Sequence, residues 1–232
     1  MTATLARRLT SEFLGTAFVV TAVVGSGITG EHLAGGNIAI ALLANTIATG
    51  AALIVLILAF GPISGAHFNP AVTLVDALEG GLRWMDAAGY VVAQCTGAIG
   101  GTIVAHLMFK LPIISFSQHA RSGSPQLLSE FIATFGLLSV IWGCSRSRSG
   151  IMPFAVGLYI ASAYWFTAST SFANPAVTIA RCFSDTFAGI RPGDVRGFIV
   201  AQIAGAMAAT FLFRWLVPNL TSNAKSVVMP KV

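Results

Sequence analysis

The sequence predicts an all-α integral membrane protein with six membrane-spanning helices and two re-entrant half-helices, arranged as an inverted repeat. Three observations carry this. The 232-residue chain is 55% hydrophobic and only 9% charged, against about 25% charged residues in an ordinary soluble domain. Its apolar residues gather into six stretches, each near the roughly 20 residues that cross a bilayer. The pentapeptide Asn69-Pro70-Ala71-Val72-Thr73 returns unchanged as Asn174-Pro175-Ala176-Val177-Thr178.

The six spans are read at about 9–28, 38–60, 86–109, 127–145, 152–169 and 197–217. The first begins behind Arg7-Arg8 and resembles a signal peptide. It has no small-residue cleavage site, however, and it has a counterpart in the second half, so it is read as a span. Between the second and third spans lies a segment too short to cross, 69–79. Its partner, 174–183, lies between the fifth and sixth. The repeat reaches beyond the pentapeptides. Glu12-Phe13-Leu14-Gly15-Thr16 is echoed by Glu130-Phe131-Ile132-Ala133-Thr134, and Gln94 and Gly97 by Gln202 and Gly205. The expectation is one channel domain over 1–232, with repeats at about 9–110 and 127–217. Each half has three spans. Three is odd, so the second half enters from the opposite side.

Asn before Pro is a helix-start signal, because Asn caps and Pro takes the first helical position at no cost in hydrogen bonds. A helix start at membrane depth is tolerated only where it lines a cavity. Two of them, in matching places, mark a pathway. The positive ends of both half-helices are expected to meet at the bilayer centre. There Asn69 and Asn174 offer donors to a dehydrating polar solute, and the paired dipoles repel cations.

Basic residues set the orientation. With both termini cytoplasmic, Arg7, Arg8, Arg83, Arg146, Arg148, Arg214, Lys225 and Lys231 fall inside, and Lys110, Arg121, Arg181, Arg191 and Arg196 outside. This is a positive-inside bias. The net charge of +5 is therefore assigned to lipid head groups and not to nucleic acid. Cys95, Cys144 and Cys182 lack metal-ligand spacing and are read as buried thiols. His32, His106 and His119 form no cluster, so no metal is expected. No nucleophile–base pair or cofactor fingerprint appears, which argues against an enzyme and against any cofactor.

Glu12 and Glu130 are intramembrane carboxylates, functional by default. One reading is a proton relay. The reading favoured is loop support, each carboxylate accepting backbone N–H groups of its re-entrant loop. Gly97, Gly101, Gly205 and Ala209 have the spacing of helix-packing seams. His67 either lines the pore through its carbonyl or packs within its loop.

Two Asn-Pro-Ala motifs in six apolar spans, with Ser64-Gly65-Ala66-His67-Phe68 before the first and the paired glutamates, resemble the aquaporins and aquaglyceroporins over nearly the whole chain. The resemblance implies their fold, a homotetramer with one pore per subunit, and a passive channel in the inner (plasma) membrane. It also implies that Gly65, Ala66 and His67 line the pore with backbone. In most relatives the second motif is followed directly by Arg; here that position is Val177. Counting back from the motifs places the remaining constriction positions at Thr49, Ser162 and Ser171. A filter of Thr49, Ser162, Ser171 and Val177 is small and neutral, and is expected to be wide. It favours glycerol, urea and metalloid hydroxides such as arsenous acid, with water beside them, a pattern similar to bacterial aquaglyceroporins associated with arsenic resistance. The alternative is an ion-coupled secondary transporter, for which only Glu12 and Glu130 supply a coupling site; a third class is a non-conducting scaffold.

Overall fold

A computed structural model describes residues 3–144 and 149–216. Arg146, Arg148, Lys225 and Lys231, counted above for orientation, lie outside the described residues, as do positions 145 and 217 at the ends of two expected spans. The described chain forms eight α-helices: α1 (Leu5–Leu33), α2 (Ile38–Ser64), α3 (Pro70–Leu78), α4 (Trp84–Met108), α5 (Ser124–Cys144), α6 (Met152–Phe166), α7 (Pro175–Arg181) and α8 (Val195–Leu216). Most spans run a few residues beyond their apolar stretches, because polar residues cap them outside the apolar layer. Thr4 accepts from Arg7 N, and Asn37 accepts from Ala39 N and Ile40 N.

Five helices (α1, α2, α4, α5 and α8) are long and apolar enough to cross a membrane. The fifth expected span, 152–169, is shorter than predicted. α6 has 15 residues, about 22 Å at 1.5 Å per residue. It stops because Thr167 turns extended (φ −109°, ψ 139°) and its hydroxyl closes the last turn onto Ala163 O at 2.6 Å. The chain is then free to run inward towards α7.

In each half the first helix packs against the last and the second: α1 on α4 and α2, α5 on α8 and α6. The halves join where α2 meets α6, and each half-helix packs on the final span of the opposite half, α3 on α8 and α7 on α4. Small residues allow these approaches. A Cβ on Gly97 or Gly101 would overlap the carbonyls of Phe13 or Ala17, and one on Gly205 the carbonyl of Phe131. With no hydrophobic drive between helices in lipid, backbone closeness of this kind is what holds such helices together.

Charge gathers at the two ends. At one, Arg8 and Arg83 pair with Asp86, and Arg214 with Glu79. At the other, Arg191 pairs with Asp194, and Arg121 donates to Gly189 O and Ser169 O. Donating to the Asp86 carboxylate raises the Arg83 guanidinium above its ordinary pKa, and burial lowers that of Arg121.

Candidate functional site

The two half-helices start where the Asn-Pro pairs predict. Asn69 and Asn174 are both extended caps, at φ −154° and −156°. Asn69 Oδ1 accepts from Ala71 N at 2.9 Å, and Asn174 Oδ1 from Ala176 N at 3.0 Å. The two starts then lock to each other. Asn69 Nδ2 donates to Ala173 O, and Asn174 Nδ2 to Phe68 O, each at 2.8 Å. One N–H of each amide is thus spent on joining the halves. An amide nitrogen carries two donors, so one remains, and both side chains line the central cavity.

Behind each start lies a strained loop. Of six non-glycine residues with positive φ among the described residues, five fall here: Ala66 and Phe68 in the first loop, Thr170, Ser171 and Ala173 in the second. The left-handed region disfavours side chains, so something must hold these residues there. The glutamates do. Glu12 accepts from His67 N at 3.0 Å, Phe68 N at 2.7 Å and the Ser64 hydroxyl at 2.6 Å. Glu130 accepts from Phe172 N and Ala173 N, both at 2.9 Å. Gln94 Nε2 bridges Glu12 to Thr73, and Gln202 Nε2 bridges Glu130 to Thr178.

The cavity walls follow helical spacing. Thr49, Leu53 and Ile57 of α2 and Val156, Ile160 and Tyr164 of α6 each recur every fourth residue, so each set forms one facing stripe. Val19 and Val23 of α1 and Leu137 and Ile141 of α5 complete an apolar wall. The loops and α7 supply the rest of the lining, with Ala66, His67, Asn69, Ser171, Phe172 and Asn174 from the loops and Val177 and Arg181 from α7. Ser171 Oγ is buried with no partner among the described residues.

The structure therefore brings Thr49, Ser171 and Val177 together and leaves Ser162 out. Ser162 is exposed and donates to Tyr159 O at 2.8 Å. The gap-free count slipped by two residues, about 200° around a helix, so Ser162 faces away from the cavity. Tyr164 stands there instead, its hydroxyl donating to Thr49 Oγ1 at 3.3 Å. The fourfold spacing from Val156 and Ile160 was the signal that could have found it. Gly65 is the left-handed C-cap of α2 (φ 94°) and does not line the cavity. His67 lines it with Ala66, and its ring is held inside the fold by Thr73 and Asp76.

The sequence profile of the major intrinsic protein family matches residues 1–170 and 147–232, together the whole chain. The chain belongs to that family. An aquaglyceroporin, AqpS, from Rhizobium meliloti (strain 1021) is 56% identical over 212 residues, covering 91% of each chain. A glycerol uptake facilitator protein from Streptococcus pneumoniae (strain ATCC BAA-255 / R6) is 32% identical over 170 residues, covering 67% of this chain and 73% of its own. In three dimensions the chain is similar to the aquaglyceroporin from Plasmodium falciparum, with a TM-score of 0.74 at 23% identity, covering 94% of this chain and 99% of that one. At that identity the likeness speaks for the fold. Major intrinsic proteins are channels and not enzymes, and this chain is a multi-pass integral membrane protein of that kind with the aquaporin fold.

Proposed function

We propose that the chain is a passive channel for small uncharged solutes of the size of glycerol, urea and arsenous acid, with water passing beside them. The observation that carries this is the make-up of the outer cavity. Thr49, Ser171 and Val177 stand around it with Tyr164, Phe172 and Arg181, so small side chains hold the positions where Thr49 and Val177 leave room. Ser171 Oγ offers an uncommitted hydrogen-bonding group, and Asn69 and Asn174 each offer one further donor. A solute shedding water needs such replacements, since an unmatched polar group costs several kcal/mol, on the order of 2–7. The relatives named for glycerol support the same solute class.

An ion-coupled transporter is less well supported. The carboxylates it would need, Glu12 and Glu130, already accept from two loop N–H groups each. The proposed setting is the inner membrane with both termini cytoplasmic, in contact with lipid, as a homotetramer with one pore per subunit. Repeats of about 9–110 and 127–217 form one channel domain.

The test is stopped-flow light scattering on proteoliposomes, with water, glycerol, urea and arsenous acid in parallel. Wild type is expected to pass glycerol without an ion gradient. Val177→Arg with Thr49→Phe is expected to cut glycerol and urea flux by roughly tenfold or more while sparing water, because Arg is long, always charged and rich in donors. A wild type that passes water and rejects the other three overturns the reading, as does uptake above equilibrium driven by a proton or sodium gradient.

A further inference from the structure

Val177 removes charge from the outer constriction, yet a guanidinium still lines the same cavity. Arg181 lies four residues further along α7, on the same helical face as Val177. Side chains on a helix lean towards its N-terminus. The N-terminus of α7 lies at the centre of the fold, so a long side chain at 181 leans back over 177. The structure shows both lining the cavity beside Ser171 and Phe172.

Arg181 is almost wholly buried, at 2% exposure. No carboxylate of the described residues forms an ion pair with it. Its guanidinium carbon sits 3.4 Å from the centre of the Phe172 ring, and its Nε donates to Ala188 O. It also stands in the last turn of α7, where the helix dipole is negative. Ring face, carbonyl and dipole stabilise a cation without neutralising it. Arg121 approaches the same ring at 5.0 Å, adding a second positive charge. Glu130 is the acid whose charge acts on Arg181, but without ion-pair contact; a buried cation held this way is costly to keep, and at membrane depth such a group marks the transport pathway.

We propose that Arg181, held over Phe172 and anchored on α7 one helical turn beyond Val177, is the charge barrier of the outer pore. The charge and the width of the constriction are then separate properties. Val177 and Thr49 give room for solutes larger than water, and Arg181 keeps cations out of that room. The solutes favoured are neutral and rich in acceptor oxygens, because a guanidinium supplies donors only.

This rests on the channel reading above, and the experiment keeps the two apart. Wild type, Arg181→Met, Arg181→Lys and Phe172→Leu are reconstituted, and sodium leak and glycerol uptake are measured on the same vesicles. Met matches the length of the stem without the charge. Arg181→Met is expected to raise the sodium-to-glycerol flux ratio by roughly tenfold or more, with glycerol uptake persisting. Arg181→Lys is expected to stay close to wild type. Phe172→Leu keeps the charge but removes its platform, and is expected to raise the ratio less. A purely structural Arg181 lowers the yield of folded protein but leaves the ratio unchanged, and that result overturns the proposal. If Arg181→Met does not reach the membrane, Phe172→Leu decides in the same way. A wild type that passes no glycerol overturns the channel reading instead.

Discussion

The two re-entrant loops share a backbone and differ in chemistry. Glu12, Gln94, Thr73 and Asn69 in the first half match Glu130, Gln202, Thr178 and Asn174 in the second, and their glutamate–loop, glutamine-bridge and asparagine bonds correspond. These positions satisfy the backbone of a strained loop at membrane depth, where an orphaned N–H has no water to turn to. Where the loops present side chains they diverge. Aligned on the pentapeptides, His67 corresponds to Phe172 and Asp76 to Arg181. In the first loop the imidazole lies 3.5 Å from a carboxylate; in the second a phenyl ring lies under a guanidinium. One interaction is between groups of opposite formal tendency, the other between a cation and a quadrupole. The repeat therefore builds a symmetric scaffold, and the departures from it give the pore two chemically unlike ends.

The comparison breaks most readily at the joint between the halves. Asn69→Leu and Asn174→Leu each remove one reciprocal hydrogen bond, leave a buried carbonyl unpaired and take away one cap. Each unsatisfied group costs about 1–3 kcal/mol, and a lost cap about 1 kcal/mol. Both variants are expected to lose most glycerol flux per molecule inserted, to similar extents because the bonds are equivalent. Stopped-flow scattering normalised to protein in the vesicle checks this; normal conduction by either variant would break the symmetry.

A smaller effect is expected behind the loops. In Glu12→Gln and Glu130→Gln an amide keeps one acceptor oxygen but turns a donor towards a backbone N–H. Thermal unfolding in detergent is expected to fall in both, and further in Glu12→Gln, where the Ser64 hydroxyl also depends on the carboxylate. The pH profile of flux is expected to keep its shape. A profile that flattens at unchanged stability would return the proton-relay reading.

The smallest effect sharpens the filter. Ser162→Ala is expected to leave glycerol flux within error of wild type, because its hydroxyl bonds only to its own helix. Tyr164→Phe removes the donor to Thr49 and is expected to change the glycerol-to-urea flux ratio by a few-fold at most, a loss of about 1 kcal/mol. Equal effects from the two would put Ser162 back in the cavity.

Much of this architecture was legible in the chain because it depends on local rules. Apolar length marks a span, Asn-Pro marks a helix start, and an identical pentapeptide marks the repeat. The pairing of Glu12 with one loop and Glu130 with the other was readable for the same reason, since each repeat carries one intramembrane acid. Three things were not readable. The end of α6 depends on where Thr167 leaves the helix, a boundary that hydropathy does not see. The choice of Tyr164 over Ser162 depends on rotation about α6, which an uninterrupted count from a distant motif cannot follow. The role of Arg181 depends on Phe172 lying beneath it and Ala188 O beside it, nine residues before and seven after. Sequence by itself determined which segments cross, where they break and that they repeat, because those follow from the solvent each residue must meet. Tertiary structure alone decided which side chains share the cavity, because that is set by the rotation and approach of helices packed through glycine seams.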